Sequence, residues 1–171
     1  MKYKELIQSD KYRLGGGKLP RFQYFMRLSS ASNPIIRLYA RIMYKLFADR
    51  SLIEISPKTK IGYGLYIGHP HSITINPKAI IGNNCNIHRS VLIGQQNRGR
   101  NQGTPVIGNN VWIGINAAIV GKVTIGDDVM IAPNTFINCD IPSHSVVFGN
   151  PCIIKYKDNA TEGYINRQYQ V

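Results

Sequence analysis

Ile107-Gly108-Asn109-Asn110-Val111-Trp112-Ile113-Gly114-Ile115-Asn116-Ala117-Ala118-Ile119-Val120-Gly121-Lys122-Val123-Thr124-Ile125 decides the fold of this chain. Isoleucine stands at 107, 113, 119 and 125, and continues at 131 and 137. Upstream it occupies 75, 81, 87 and 93. Six residues is neither the helical period nor the strand period. It is the period of a coil whose units each give a short strand and a turn, three units closing a triangular rung. No rung can bury its own apolar face, so the stack is the folding unit.

The rest of the repeat fits that geometry. Four residues after the isoleucines come Cys85, Val91, Val111, Ala117, Val123, Val129 and Thr135, small enough to fill a tapering core. Gly82-Asn83-Asn84 and Gly108-Asn109-Asn110 suit turns with unusual backbone angles. An earlier register, Ile55, Ile61 and Ile67, is followed by Ile75 eight residues on. Two extra residues therefore fall near His69-Pro70-His71-Ser72. From Ile93 to Ile107 the step is fourteen residues, which places an eight-residue insertion within Gly94–Val106. Gln95 to Gly103 holds no apolar residue and belongs outside the core. Beyond Ile137 the pattern decays.

Ahead of the coil, residues 1–20 are mixed, with Gly15-Gly16-Gly17 and Pro20 reading as a loop. Residues 21–50 read as helical. Asn33 suits a cap and Pro34 a first helical position. Arg37, Arg41 and Lys45 make a basic stripe beside an apolar face that needs cover, from the coil end, a neighbouring subunit or an anionic membrane. Three regions result: a basic, partly helical segment over 1–50, the coil over 51–154 with an external loop at 94–106, and a tail over 155–171.

The net charge is +12, and residues 1–50 hold 11 Lys or Arg against 3 acids, so the excess is concentrated ahead of the coil. It favours anionic partners: nucleotide phosphates, acidic glycans or a lipid surface. No recognition motif accompanies it, so no nucleic-acid partner is expected. Cys85, Cys139 and Cys152 make no disulfide framework and match no metal motif, which fits reduced thiols in a cytoplasmic protein. No apolar run reaches transmembrane length and no signal peptide is read.

Taken together, Glu54-Ile55-Ser56-Pro57, Ile61-Gly62-Tyr63-Gly64, Gly68-His69, Ile73-Thr74-Ile75, Val91-Leu92-Ile93-Gly94, Pro105 to Gly114 and Val147-Phe148-Gly149-Asn150-Pro151 resemble the hexapeptide-repeat acyltransferases, nearest to their serine acetyltransferase branch. The resemblance covers about residues 50–157. It implies an all-β fold, a left-handed parallel β-helix, assembled as a homotrimer with active sites between neighbouring coils. It implies acetyl-CoA as co-substrate, lying along the outer wall near the C-terminal rungs, with the loop Gln95–Thr104 helping to enclose the site.

A hydroxyl attacks a thioester poorly until its proton is taken, and an imidazole suits that task near neutrality. His69 falls where the register slips and matches the family's general base. The resemblance pairs that base with an acid fifteen positions earlier, here Glu54, to orient the ring. His71 is a candidate for lining the same pocket. His88 and Arg89 follow an inward isoleucine and are candidates for the acceptor cleft. His144 reads as a turn residue, and the four histidines lack the paired acids of a metal site, so no metal is expected.

On the donor side the resemblance assigns Gly114, Ile115, Ala132, Pro133 and Asn138 to the groove, and Lys155 and Lys157 to phosphates. A rung amide near Gly114 is expected to hold the oxyanion. No Ser or Cys stands beside a clear base, so attack is expected to be direct.

Two positions depart from the serine acetyltransferase pattern. Gly68 stands where an aspartate usually precedes the base, and Thr104 stands where a histidine precedes Pro105. Only about 50 residues precede the coil, where those enzymes have a long helical domain. The expectation is therefore an O-acetyltransferase of a saccharide hydroxyl in polysaccharide or cell-envelope synthesis. Serine O-acetylation and N-acetylation of an amino sugar are the alternative enzyme readings, and a non-catalytic β-helix scaffold is the non-enzyme one. The expected location is cytoplasmic, with peripheral contact at the inner face of the membrane as an open alternative.

Overall fold

A computed structural model describes residues 3–170. Three helices precede the coil: α1 (Tyr3–Arg13), α2 (Arg21–Leu28) and α3 (Pro34–Arg50). Asn33 caps α3, its side-chain oxygen accepting from the amides of Ile35 and Ile36 at 2.9 and 3.2 Å. The first rung is β1 (Ile53–Ile55), β2 (Lys60–Ile61) and β3 (Tyr66–Gly68); the second is β4 (Ile73–Ile75), β5 (Ile80–Ile81) and β6 (Asn86–His88). The third is β7 (Leu92–Gly94), β8 (Val106–Ile107) and β9 (Val111–Ile113), and the fourth β10 (Ala118–Val120), β11 (Thr124–Ile125) and β12 (Val129–Ile131). The fifth comprises β13 (Phe136–Ile137), a single bridge at Ile141, and β14 (Ser145–Phe148); β15 (Ile153–Tyr156) then doubles back.

The result is a left-handed parallel β-helix of hexapeptide repeats. Wall A stacks β1-β4-β7-β10-β13, wall B β2-β5-β8-β11, and wall C β3-β6-β9-β12-β14-β15. The pairings measure the insertions directly. Ile53 opposes Ile73, twenty residues on; Ile80 opposes Val106, twenty-six on; Val106 opposes Thr124, eighteen on. The second rung therefore starts two residues late, at 69–71, and the third contains the eight-residue loop. The repeat isoleucines at 73, 75, 87, 93, 107, 113, 119, 125, 131 and 137 are no more than 2% exposed. Full burial of such a side chain is worth about 1.5–3 kcal/mol, and stacking gives each one neighbours above and below. The coil also outlasts the repeat: Ile141 and Val147 are buried beyond Ile137.

The segment ahead of the coil is more ordered than the sequence suggested. α1 is helical, and it is held by polar rather than apolar contacts. Asp10, fully buried, pairs with Arg27 through Nε at 2.8 Å, accepts from Gln23 at 3.0 Å, and takes the Leu65 amide at 2.8 Å. Arg27 also donates to the carbonyls of Ile61 and Gly62. α1 and α2 thereby clamp the first rung. The tail is docked too. Asp128 accepts from the Ala160 and Thr161 amides at 2.9 and 3.0 Å, and Tyr164 packs edge-on to Trp112.

Candidate active site

Wall C turns into wall A at one edge of the prism, and the register tells which residues form it. Gly68 opposes His88, Ile87 opposes Ile113, and Ile113 opposes Ile131. One step further along each strand, a single residue makes the edge in three rungs: Arg89, Ile115 and Pro133. In the first rung three residues, His69-Pro70-His71, occupy it. Rungs stack about 4.8 Å apart, so His69 heads a column that reaches Pro133 in roughly 14 Å.

His69 is exposed, with φ +53°. Two columns of positive φ run along the coil. One column is Gly64, Asn84, Asn110, Asp128 and His144; another is Leu52, Ser72, Ser90, Asn116 and Asn134. His69 belongs to neither column. The two-residue insertion supplies the extra left-handed residue, and that turn projects the imidazole away from the inward pattern. His71 is also exposed on this bulge, its Nδ1 2.8 Å from the Ser72 hydroxyl.

His88 lies one rung above Gly68, half-buried between Tyr66 and Trp112, ring centroids 6.5 and 4.8 Å away. Its Nε2 is buried without a hydrogen-bond partner. Burial, and then the nearby His69, push its pKa below the usual imidazole value. A Cβ on Gly68 would stand 2.6 Å from the His88 ring. The imidazole therefore covers the position where the resemblance expects an aspartate.

The other expected residues divide. Glu54 lies on wall A, and its carboxylate meets the Thr74 hydroxyl at 3.4 Å; no ion pair or hydrogen bond joins it to His69 among the described residues. Fifteen residues of separation spans a corner, and the register sets Glu54 opposite Thr74, three residues past His71. Asn138 lies past β13 at the edge where wall A turns into wall B, its carbonyl accepting from Asn101 of the loop at 2.7 Å. Thr104 is tied to the Lys78 carbonyl at 3.3 Å. His69 and His71 thus lie at one edge and Thr104 and Asn138 at another, with wall A, which carries Glu54, between them. A groove of about 1100 Å³ runs along that wall under α3, lined by Glu54, Thr74, Leu92, Gln95 and Asn97 among others.

Two expectations for the donor side meet constraints. The Gly114 amide donates to the Ile131 carbonyl at 2.8 Å, so that amide is already engaged and does not point at an oxyanion. Lys157 is displaced because β15 runs antiparallel to β14: Ile153 opposes Phe148 while Tyr156 opposes Ser145. The Lys157 amide bonds the His144 carbonyl, at the far edge of wall C. Lys155 stays closer, its Nζ 5.6 Å from the Phe148 ring, one rung beyond Ala132. Gly114 itself has no room for a side chain, since a Cβ would approach the Pro133 nitrogen at 2.6 Å. The upper edge is therefore low, with the bare backbone of Gly114 flanked by Ile115 and Pro133. Among the described residues no group of three His, Cys, Asp or Glu is placed to hold a metal ion.

Comparison with known proteins agrees with this fold. Residues 104–139 match the bacterial transferase hexapeptide (six repeats) family. The serine acetyltransferase of Helicobacter pylori is 33% identical over 119 residues, 70% of each chain. That of Synechococcus elongatus is 31% identical over 61% of this chain but only 43% of its own length. Among solved structures, serine acetyltransferase isoform 3 of Entamoeba histolytica, in complex with cysteine, superposes with a TM-score of 0.71 at 26% identity, covering 94% of this chain and 64% of that one. The chain belongs to the hexapeptide-repeat acyltransferases, close to their serine acetyltransferase branch. Membership places it among the acyl-CoA-dependent acetyltransferases.

Proposed function

We propose that this chain is an O-acetyltransferase that takes its acetyl group from acetyl-CoA and uses His69 as general base. The observation that carries the reading is the column His69, Arg89, Ile115 and Pro133, a continuous edge with the imidazole at its head. Acetyl-CoA supplies the acetyl group and a thiol leaving group. Ile115, Pro133 and bare backbone at Gly114 and Ala132 would flank its arm, and Lys155 would meet phosphate beyond. His69 takes the hydroxyl proton as the acceptor oxygen bonds to the acetyl carbon, then delivers it to the sulfur as the carbon–sulfur bond breaks. Wall A separates this edge from the loop, Thr104 and Asn138. A threefold assembly would bring the loop edge of one copy against the His69 edge of another, and we take a homotrimer as the working form.

L-Serine is the acceptor that the comparisons support, better than the saccharide expected from the sequence, since the relatives described above are serine acetyltransferases. A neutral saccharide hydroxyl is retained on one observation: an uncharged imidazole, His88, covers Gly68, where a carboxylate would have held an ammonium group. Thioester release is measured over serine, monosaccharides and envelope glycans. Turnover with serine at millimolar levels supports the first acceptor; turnover with a glycan and none with serine supports the second. In the same assay His69→Ala is expected to lower transfer by roughly 10²-fold or more while CoA binding persists. Turnover near wild type would remove His69 from the role.

A further inference from the structure

α3 has two apolar faces, and the fold uses one. Ala40, Tyr44 and Ala48 are buried at spacing four. Ile35, Leu38, Ile42 and Leu46 recur at spacing three to four on another face and are 77, 62, 54 and 52% exposed. Side chains of this size rarely stand in a contiguous row against water without a partner. Arg41 and Lys45 are exposed beside them. The row continues sideways through Tyr39, whose ring meets Phe25 edge-on at 5.9 Å. There it joins a groove of about 480 Å³ whose floor includes Phe25, Met43 and Phe47 and whose cations are Lys11, Lys18 and Arg21. No carboxylate lines that groove.

We propose that this face rests on an anionic bilayer surface, with α3 lying in the interfacial plane. Apolar side chains alternating with long cationic ones on one helix are the pattern of an interfacial helix, whose cations reach up to headgroups while the apolar row enters the acyl boundary. α3 has 17 residues, roughly 25 Å, and no described helix is long and apolar enough to cross a membrane, so the helix lies on the surface rather than through it. Charge selects the occupant. The first 50 residues carry 11 Lys or Arg against 3 acids, and the whole chain carries 21 against 9. A second copy brings more cations than anions to a stripe that is already cationic, whereas anionic lipid complements it. This inference does not depend on which hydroxyl is acetylated.

The full chain is sedimented with vesicles of phosphatidylcholine alone and of phosphatidylcholine mixed with phosphatidylglycerol, at low and high salt. Pelleting is expected only with the mixed vesicles, and high salt should release the protein. Leu38→Gln/Ile42→Gln and Arg41→Gln/Lys45→Gln should each weaken binding roughly tenfold or more, with circular dichroism and melting temperature unchanged. No pelleting with mixed vesicles, or both variants binding as the wild type does, overturns the proposal. So does a fall in particle mass of Leu38→Gln/Ile42→Gln in lipid-free solution, which would assign the face to a second copy.

Discussion

The most informative residue after His69 is His88. Its ring closes the space over Gly68, packs on Trp112, and leaves Nε2 buried and unpartnered. Burial disfavours the imidazolium and the neighbouring His69 adds to that, so the folded pKa lies below the ordinary value. The unfolded chain takes up a proton near pH 6.5 that the fold refuses, so stability declines as pH falls from about 6.5 toward the folded pKa. His88→Phe keeps a flat ring without a titrating group. Its unfolding free energy, measured across that window, is expected to fall less steeply with acid than that of the wild type. Parallel slopes for the two proteins would mean that another group carries the dependence.

Among the elements, α1 and α2 matter through one buried cluster. Asp10 and Arg27 are 0 and 5% exposed at their side chains, and both bond backbone groups of the first rung. Asp10→Ala strands the guanidinium in the interior and is expected to cost about 3–5 kcal/mol in chemical denaturation. Replacing both residues with apolar ones of similar volume should cost less, because no charge is then left alone. This element also marks where the sequence was hard to read. The coil was legible because isoleucine at sixfold spacing reports the inward face directly, and both insertions followed from arithmetic on the same residues. α1 was not, since Leu6, Ser9, Asp10 and Arg13 are what it buries, and a hydrophobic pattern is blind to such a face. The reversal at β15 is equally hidden: periodicity counts residues but carries no direction, so it does not show that the Lys157 backbone lies beside His144. His69 was legible as a break in the register. The pairing of Glu54 with His69 rests on the resemblance alone, since a spacing of fifteen does not show on which wall a side chain ends.

At the scale of the molecule, the site residues divide between two edges of one prism, and a shared cleft between copies would reunite them. Chains carrying His69→Ala retain the loop, and chains lacking residues 96–103 retain His69. Each should be nearly inactive alone. Co-assembled from equal amounts of unfolded chains, they are expected to recover about a quarter of wild-type turnover, since one cleft in four then draws an intact half from each. No recovery from particles of verified mixed composition would place the whole site within a single copy.

The doubling back of β15 has a consequence for the molecule's length. A stack of parallel strands ends in a row of unpaired amides and carbonyls, an invitation to another stack to add on and grow into a filament. On wall C the last strand runs opposite to all those before it, so an incoming parallel rung meets the wrong polarity of donors and acceptors. The coil is thereby punctuated on that wall by a single change of direction.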